Sequence, residues 1–190
     1  MKLNLGCGRN PLDGYVNLDR QSMPGVDVVF DLESCAKGRR LPFETSSVAA
    51  IVGVDLIEHI THPLPLMAEL WRVAKSDALC TFVLPYGSSD DAWEDPTHVR
   101  PYFIGSWMYF GQPTYYRADY GFRGDWELAE LVLQIPAHYQ DVDPAEVLAD
   151  VTSIRNVVVR QIATLRAVKP ARLCDQSLMR EPPVRFEIIE

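Results

Sequence analysis

Two glycines and an acid near the start of the chain have the types and spacing needed to hold a nucleoside. Gly6-Cys7-Gly8 follows a short apolar segment, and Asp19 ends a second one. Glycines let the backbone approach a ligand closely because they carry no Cβ atom. An acid at the tip of the next strand is placed to accept hydrogen bonds from a ribose hydroxyl pair. The spacing therefore predicts a nucleoside-binding crevice at the carboxyl ends of a parallel sheet.

A second group of reactive side chains follows the apolar strand predicted at Leu79–Leu84. Histidine titrates near neutral pH, so His98 could accept a proton as a general base. Asp95 could orient that imidazole, and Arg100 could hold an anionic group of a substrate. Loops at the carboxyl edge of such a sheet often carry substrate chemistry. A histidine and an arginine that only tie the loop to the sheet would give the same pattern, so both interpretations stay open.

An aromatic segment, Tyr102–Trp126, comes next and holds more than half of the aromatic residues of the chain. Its rings could form a lid over a pocket for a small molecule, or they could be ordinary packing beneath a long connection. We favour a lid that also packs. On this interpretation Tyr86, Tyr102 and Trp107 are substrate contacts, together with the arginine named above.

The elements that must position these residues follow from the hydrophobic pattern. Apolar residues recur at helical spacing over His62–Ala74 and over Asp143–Val168, which predicts one helix at each place and makes the second one long. Strands alternating with these connections predict an α/β, Rossmann-like, mostly parallel sheet with helices on both faces, an antiparallel last strand and an appended long C-terminal helix. Strands are predicted at Lys2–Leu5, Tyr15–Asp19, Val26–Phe30, Val48–Val54, Leu79–Leu84, Trp126–Ile135 and Val184–Ile189.

The first connection between parallel strands is unusually short. Only six residues lie between Gly8 and Tyr15, whereas a parallel crossover usually needs about a dozen and contains a helix. Six extended residues still cover roughly 20 Å, enough to return along a short strand. We therefore expect the first crossover helix to be shortened to a turn or lost.

Composition indicates one domain of ordinary size that is expected in the cytoplasm. The chain has 190 residues, of which 47% are hydrophobic, enough for a sizeable core. Its 18 Lys and Arg against 26 Asp and Glu give a net charge of −8, which argues against broad contact with nucleic acid. The four cysteines are scattered, which argues against a disulfide framework and fits a reducing compartment. We expect no signal peptide and no membrane span.

The region between Val151 and Cys174 has a charge pattern of its own. It carries five basic residues and no acidic one. A solvated face on the predicted C-terminal helix explains this pattern most simply. The alternatives are an arm for an acidic substrate, contact with a membrane surface, or a homodimer formed through this helix.

Several short motifs recur in one order along the first half of the chain. They are Leu5-Gly6-Cys7-Gly8, Asn17-Leu18-Asp19, Asp31-Leu32, Leu41-Pro42-Phe43, Leu56-Ile57-Glu58-His59-Ile60 and Glu69-Leu70-Trp71-Arg72-Val73. Together they resemble the class I S-adenosylmethionine-dependent methyltransferase family, and within it the small type 11 branch. The resemblance covers roughly Lys2 to Leu84. It departs from the family pattern at Arg9-Asn10, where a third glycine is usual, and after Lys75, where the usual Pro-Gly-Gly turn is missing.

The resemblance implies a cofactor, a reaction and a division of the domain. The cofactor would be S-adenosyl-L-methionine, with S-adenosyl-L-homocysteine as product and the methyl group passed in line to an oxygen or nitrogen of a small molecule. Residues 1–84 would form the cofactor-binding half, 85–126 the loop and aromatic lid, and 127–190 a strand, the long helix and a final strand. The cofactor contacts would be Gly6, Cys7, Gly8, Asp19, Asp31, Leu32 and Asp55, with His98 and Asp95 as catalytic candidates.

Two other functions stay open. One is a methyltransferase-like protein that holds the nucleoside without turnover, or that serves as a subunit of a partner. The other is an NAD-dependent oxidoreductase, although the missing third glycine and the short distance from Gly8 to Asp19 count against it.

Two further functions are disfavoured. Amino methylation of DNA usually uses a D/N-P-P-Y/F string where this chain has Gly53-Val54-Asp55-Leu56. His59 and His62 could share a metal, but no Glu or Cys follows at metal spacing, so we expect no metal site.

Overall fold

One mixed sheet of eight strands forms the centre of the computed structural model, which describes residues 1–190. The strands are β1 (Lys2–Leu5), β2 (Val16–Asp19), β3 (Val28–Val29), β4 (Val48–Val54), β5 (Ala74–Pro85), β6 (Trp126–Pro136), β7 (Arg160–Ala167) and β8 (Val184–Ile189). Their order across the sheet is β3-β2-β1-β4-β5-β7-β6-β8. The first five strands are parallel, and β7 is antiparallel to both of its neighbours. The carboxyl ends of β1 to β5 therefore meet at one edge of the sheet.

The helices are short and lie in the connections. The α-helices are α1 (Pro63–Val73), α2 (Asp91–Glu94) and α3 (Pro144–Ser153). Turns of 3₁₀-helix occupy Leu32–Lys37, Ile57–His59, Ile104–Phe110, Gln112–Tyr116, Ala137–Tyr139 and Gln176–Leu178. None of these helices has the length and apolar character needed to cross a membrane. The helix predicted at His62–Ala74 is confirmed as α1. Pro63 takes its first position, where a proline costs no backbone hydrogen bond.

The first crossover contains no helix, as its length predicted. Two buried asparagines on neighbouring strands organise it instead. Asn4 Nδ2 donates to Asn17 Oδ1 at 2.9 Å and to the Asn10 carbonyl at 3.1 Å. Asn17 Oδ1 also accepts from the Leu12 backbone N–H at 2.7 Å. These side-chain bonds satisfy backbone groups that a helix would have paired internally.

The hydrophobic core lies mainly on one face of the sheet. Leu3, Ile51 and Phe82 project from this face and are almost completely buried. Trp107 of the aromatic segment stacks on Phe82 with ring centroids 6.1 Å apart. The Trp126 indole N–H donates to the carbonyl of Met67 in α1 at 3.0 Å. The aromatic segment and α1 therefore cover the same side of the central strands.

The opposite face of the central strands has much less cover. Val52, Val83 and Ile162 project from it and are only partly buried, and Val54 is 47% exposed. The prediction of helices on both faces is therefore wrong for these strands, and β4 is well buried on one side only. The physical reason is that the β1–β2 and β2–β3 connections contain no helix.

The long helix predicted over Asp143–Val168 is wrong. Helix α3 ends at Ser153, Asn156 adopts a left-handed φ of 62°, and β7 begins at Arg160. Valines crowd the region between them, and β-branched residues favour a strand once sheet neighbours are available. Along β7 burial alternates with a period of two, which matches a strand. The apolar spacing read as helical is a chance overlap of two elements.

Two further predictions change with this correction. The last strand, β8, runs parallel to its neighbour β6, and the antiparallel strand is β7. The predicted basic helix does not exist, because α3 ends at Ser153 and the basic residues follow it. Three of its arginines form ion pairs within the chain. These pairs are Arg160 with Asp55 at 2.6 Å, Arg166 with Glu127 at 2.7 Å and Arg172 with Asp125 at 2.8 Å.

Candidate functional site

A crevice of about 420 Å³ opens at the carboxyl ends of β1 and β2. Four residues predicted to hold a nucleoside line it: Gly6, Asp19, Asp31 and Leu32. The sequence separates them, and the parallel strand order brings them to one edge. The crevice is also lined by residues that sequence reasoning did not assign to it, namely Leu18, Arg20, Phe30, Glu33, Leu56, His59, Ile60 and Thr97.

The glycine turn after β1 is held by the acid at the tip of β2. Gly6 and Gly8 have φ angles of 60° and 51°, in the left-handed region that favours glycine. The Gly8 N–H donates to Asp19 Oδ2 at 3.0 Å. A Cβ atom on Gly6 would lie 2.8 Å from Cδ1 of Leu56, so any other residue here would force the Leu56 side chain to move.

Both strand-end acids also cap the backbone that follows them. Asp19 Oδ1 accepts from the Gln21 N–H at 2.9 Å, and Asp31 Oδ1 accepts from the Glu33 N–H at 3.1 Å. An ionised carboxylate has about four acceptor sites. Each acid therefore keeps acceptor capacity for a ligand in the crevice while it holds its own turn.

Replacing Gly6 with alanine is expected to lower the affinity for S-adenosylhomocysteine and to destabilise the fold. The added methyl group meets Leu56 on the crevice wall, and a left-handed alanine costs about 1 kcal/mol before that contact is counted. Gly14→Ala is the matched control, because Gly14 also has a positive φ, 78°, but has open space around it. Equal affinity of the two variants in calorimetry would contradict this account of the turn.

Three of the predicted cofactor residues, Cys7, Gly8 and Asp55, lie outside the crevice lining. Cys7 is buried, and this burial raises the pKa of its thiol. Asp55 has a left-handed φ of 46° and forms its ion pair with Arg160, and the next residue, Leu56, lines the crevice in its place. No feature of the sequence indicated this exchange, because the partner arginine lies on β7.

The two histidines at this edge of the sheet stand side by side. The rings of His59 and His98 meet edge to face, with centroids 4.7 Å apart. Nδ1 of His98 contacts the Ala92 carbonyl at 3.2 Å. Nδ1 of His59 contacts the Thr97 carbonyl at 3.3 Å and the Thr97 hydroxyl at 3.0 Å. A carbonyl can only accept a hydrogen bond, so each imidazole donates through Nδ1, and in the neutral form its lone pair is on Nε2.

Asp95 does not orient His98 in the predicted way. Its Oδ2 lies 3.8 Å from His98 Nε2, which is beyond hydrogen-bond distance. Its Oδ1 accepts from the Thr97 N–H and hydroxyl, both at 2.7 Å. These two bonds hold the pKa of Asp95 below its usual value. The Ala92 carbonyl, not Asp95, fixes the orientation of the imidazole.

Glu58 is the buried acid of this region. Only 3% of its surface is exposed, and neither carboxylate oxygen has a hydrogen-bond partner. Burial raises its pKa to about 7. The backbone carbonyl of Glu58 accepts hydrogen bonds from the backbone N–H groups of Val99 at 2.9 Å and Arg100 at 3.2 Å. Glu58 therefore joins the end of β4 to the loop that follows β5.

A larger cavity of about 830 Å³ lies next to this loop. Its walls include Arg100 and Tyr102, as predicted for substrate contacts, and the start of α1. Three further tyrosines of the aromatic segment also line it: Tyr109, Tyr115 and Tyr120. The cavity therefore presents phenol rings and one guanidinium group.

The other two predicted substrate contacts are core residues. Tyr86 is buried, with its ring edge-on to Phe103 at 5.6 Å. Trp107 has no exposed surface, and its indole N–H donates to Gln161 Oε1 at 2.9 Å. Its ring stacks on Tyr102 at 5.0 Å. The aromatic segment thus packs through Trp107 and faces the cavity through its tyrosines.

Solved structures of other proteins share the fold of this chain. No protein-family model matches it, and a search of curated proteins finds no match. Solved structures do match. A SAM-dependent methyltransferase from Archaeoglobus fulgidus has a TM-score of 0.58 at 15% identity, covering 86% of this chain and 84% of the other.

Two further solved structures give the same result. An S-adenosylmethionine-dependent methyltransferase from Mesorhizobium loti has a TM-score of 0.53 at 10% identity, covering 86% of this chain and 89% of its own. The YcgJ protein from Bacillus subtilis has a TM-score of 0.53 at 15% identity, with coverage of 89% and 92%. The chain has the fold of the class I S-adenosylmethionine-dependent methyltransferases.

Proposed function

We propose that this chain transfers a methyl group from S-adenosylmethionine to a small molecule bound in the tyrosine-lined cavity. The observation that carries the proposal is the convergence of Gly6, Asp19, Asp31 and Leu32 on one crevice at the carboxyl edge of the sheet. In a sheet of this topology that edge is where nucleoside ligands bind.

The residues of the crevice fit an adenosyl group. Gly6 leaves the bend after β1 free of a side chain, which a methionyl chain needs for close approach. Asp19 has free acceptor sites for the ribose hydroxyls. Asp31 and Leu32, at the end of β3, would meet the adenine ring, with Phe30 and Ile60 as apolar walls.

The reaction needs alignment more than activation. The cofactor supplies a methyl group on a sulfonium, which is already an activated leaving group. The protein would hold the nucleophile of the second substrate in line and exclude water. His98 Nε2 has a free lone pair and could take a proton from a hydroxyl acceptor. Asp95 would contribute only its negative charge, at 3.8 Å.

The cavity points to an aromatic acceptor with an anionic group. Tyr109 and Tyr120 line the cavity and are 52% and 65% exposed, so their rings are available to a planar ligand. Arg100 is the cation available to pair with a carboxylate or phosphate. The net charge of −8 disfavours a nucleic-acid substrate.

Calorimetry with S-adenosylmethionine, S-adenosylhomocysteine and NAD tests the cofactor. We expect the two adenosyl sulfur compounds to bind and NAD not to bind. Methyl-labelled cofactor with a panel of hydroxy- and amino-benzoates then tests transfer, and His98→Asn is expected to slow it at least tenfold, with His138→Asn as control. Binding of NAD alone would indicate an oxidoreductase. Binding of S-adenosylhomocysteine without transfer to any acceptor would indicate a silent binding protein.

A further inference from the structure

Three metal-ligating side chains from two segments meet beside the crevice. Glu58 and His59 follow β4, and His98 lies in the loop after β5. One donor atom from each lies within 4.8 Å of the others. His59 also lines the crevice, so the group adjoins it through this residue.

Both imidazoles are prepared as ligands. Each uses Nδ1 on a backbone carbonyl, at Ala92 for His98 and at Thr97 for His59. A histidine that binds a metal through one nitrogen typically donates through the other in this way, which fixes the ring and its tautomer. The free nitrogen of each ring is therefore Nε2, the atom that a metal ion would take.

The carboxylate of Glu58 supplies the second, independent observation. Only 3% of the surface of Glu58 is exposed, and both of its carboxylate oxygens lack a hydrogen-bond partner. A buried carboxylate without a partner is costly, and a metal ion is one of the few groups that compensates it. The nearby Arg160 does not, because it pairs with Asp55 at 2.6 Å.

We propose that Glu58, His59 and His98 bind one divalent transition-metal ion, with Zn²⁺ as the best fit. Two imidazoles and one carboxylate with an open fourth position are a set that zinc accepts. Ligand atoms around tetrahedral zinc lie roughly 3.3 Å apart, given metal–ligand distances of about 2.0 Å. The three side chains would move together from their present spacing, and Asp95, 3.8 Å from His98 Nε2, stands close enough to help balance the charge.

Such an ion would join the end of β4 to the loop after β5. That loop carries Arg100 and Tyr102 to the larger cavity, so the ion would hold the cavity wall to the crevice wall. An ion on Nε2 would occupy the lone pair that a general base needs, so the general-base role proposed above for His98 applies to the metal-free chain. Ion binding does not require methyl transfer, and each can be measured without the other.

Cobalt titration of the full-length, chelator-treated chain tests the proposal. We expect one Co²⁺ per chain, visible absorption bands typical of four-coordinate cobalt, and displacement by Zn²⁺. Glu58→Gln, His59→Asn and His98→Asn are each expected to weaken binding at least tenfold. His62→Asn is the matched control, because His62 lies close in sequence but outside the group, and its variant should bind like the parent chain.

Thermal unfolding separates loss of the site from loss of the fold. Zn²⁺ should raise the Tm of the parent chain and of His62→Asn, but not that of the three ligand variants, since binding only to the folded state stabilises it. S-adenosylhomocysteine binding by the metal-free chain reports the proposed function separately. The proposal is overturned if the parent chain binds no Co²⁺ or Zn²⁺, or if the three ligand variants bind as tightly as His62→Asn.

Discussion

Asp19→Ala is expected to weaken the binding of S-adenosylhomocysteine at least tenfold while the chain stays folded. A hydrogen bond to a charged group contributes about 1.5–3 kcal/mol, and about 1.4 kcal/mol is a factor of ten in affinity. Loss of both ribose contacts, about 3–6 kcal/mol, would therefore weaken binding more than a hundredfold. The variant also removes the acceptor for the Gly8 N–H at 3.0 Å, which loosens the glycine turn in addition.

Two companion variants make the result specific. Asp19→Asn keeps an oxygen for the Gly8 N–H but removes the charge, so its affinity should fall between those of the parent and the alanine variant. Asp13→Ala removes an exposed acid in the same crossover and should bind like the parent. Calorimetry gives the affinities, and circular dichroism checks the fold. Unchanged affinity in Asp19→Ala would remove the assignment of this acid to the ribose.

Arg172→Met is expected to destabilise the chain by roughly 3 kcal/mol, near the lower end of what breaking a buried ion pair costs. Asp125 is 0% exposed. Its two oxygens accept from Nε and Nη2 of Arg172 at 2.9 Å and 2.8 Å. Without the guanidinium, the buried carboxylate of Asp125 would accept only two hydrogen bonds, from the backbone N–H of Gln112 at 3.0 Å and from the backbone N–H of residue 172 at 2.7 Å.

Arg166→Met is the control for the loss of an arginine. Arg166 pairs with Glu127, but 45% and 33% of these side chains are exposed, and exposed pairs contribute less than about 1 kcal/mol. Urea unfolding of both variants measures the difference. If the two variants lose the same stability, the buried carboxylate of Asp125 does not depend on its arginine.

Local pattern predicted most of the elements in the first half of the chain. The strands at Lys2–Leu5 and Val48–Val54, the helix after His62 and the short first crossover are all present. The motif Glu69-Leu70-Trp71-Arg72-Val73, one of those that resemble the methyltransferase family, has a structural role in α1. There Glu69 and Arg72 pair at 2.6 Å, and Glu69 Oε1 accepts from the Leu41 N–H at 2.7 Å, so this helix motif clamps the Leu-Pro-Phe segment.

The hydrophobic pattern gave a wrong prediction where the spacing of apolar residues fits both a helix and a helix followed by a strand. Apolar residues from Val147 to Leu165 satisfy a helical period, yet the second part of this stretch is a strand. This part forms a strand because β7 pairs with β5 on one side and β6 on the other, antiparallel to both. Burial of Trp107 was equally beyond the sequence, because its partner Gln161 lies on β7.

The sequence by itself determined the glycine bend, the acids at two strand tips and the α/β class, because these depend on backbone freedom and on the periodicity of nearby residues. Only the tertiary structure decided which side chains share a wall: Leu56 in place of Asp55, the Ala92 carbonyl in place of Asp95, and Glu58 beside two histidines. The reason is that such contacts join segments tens of residues apart. Strand order and loop packing set them, and no local pattern records either.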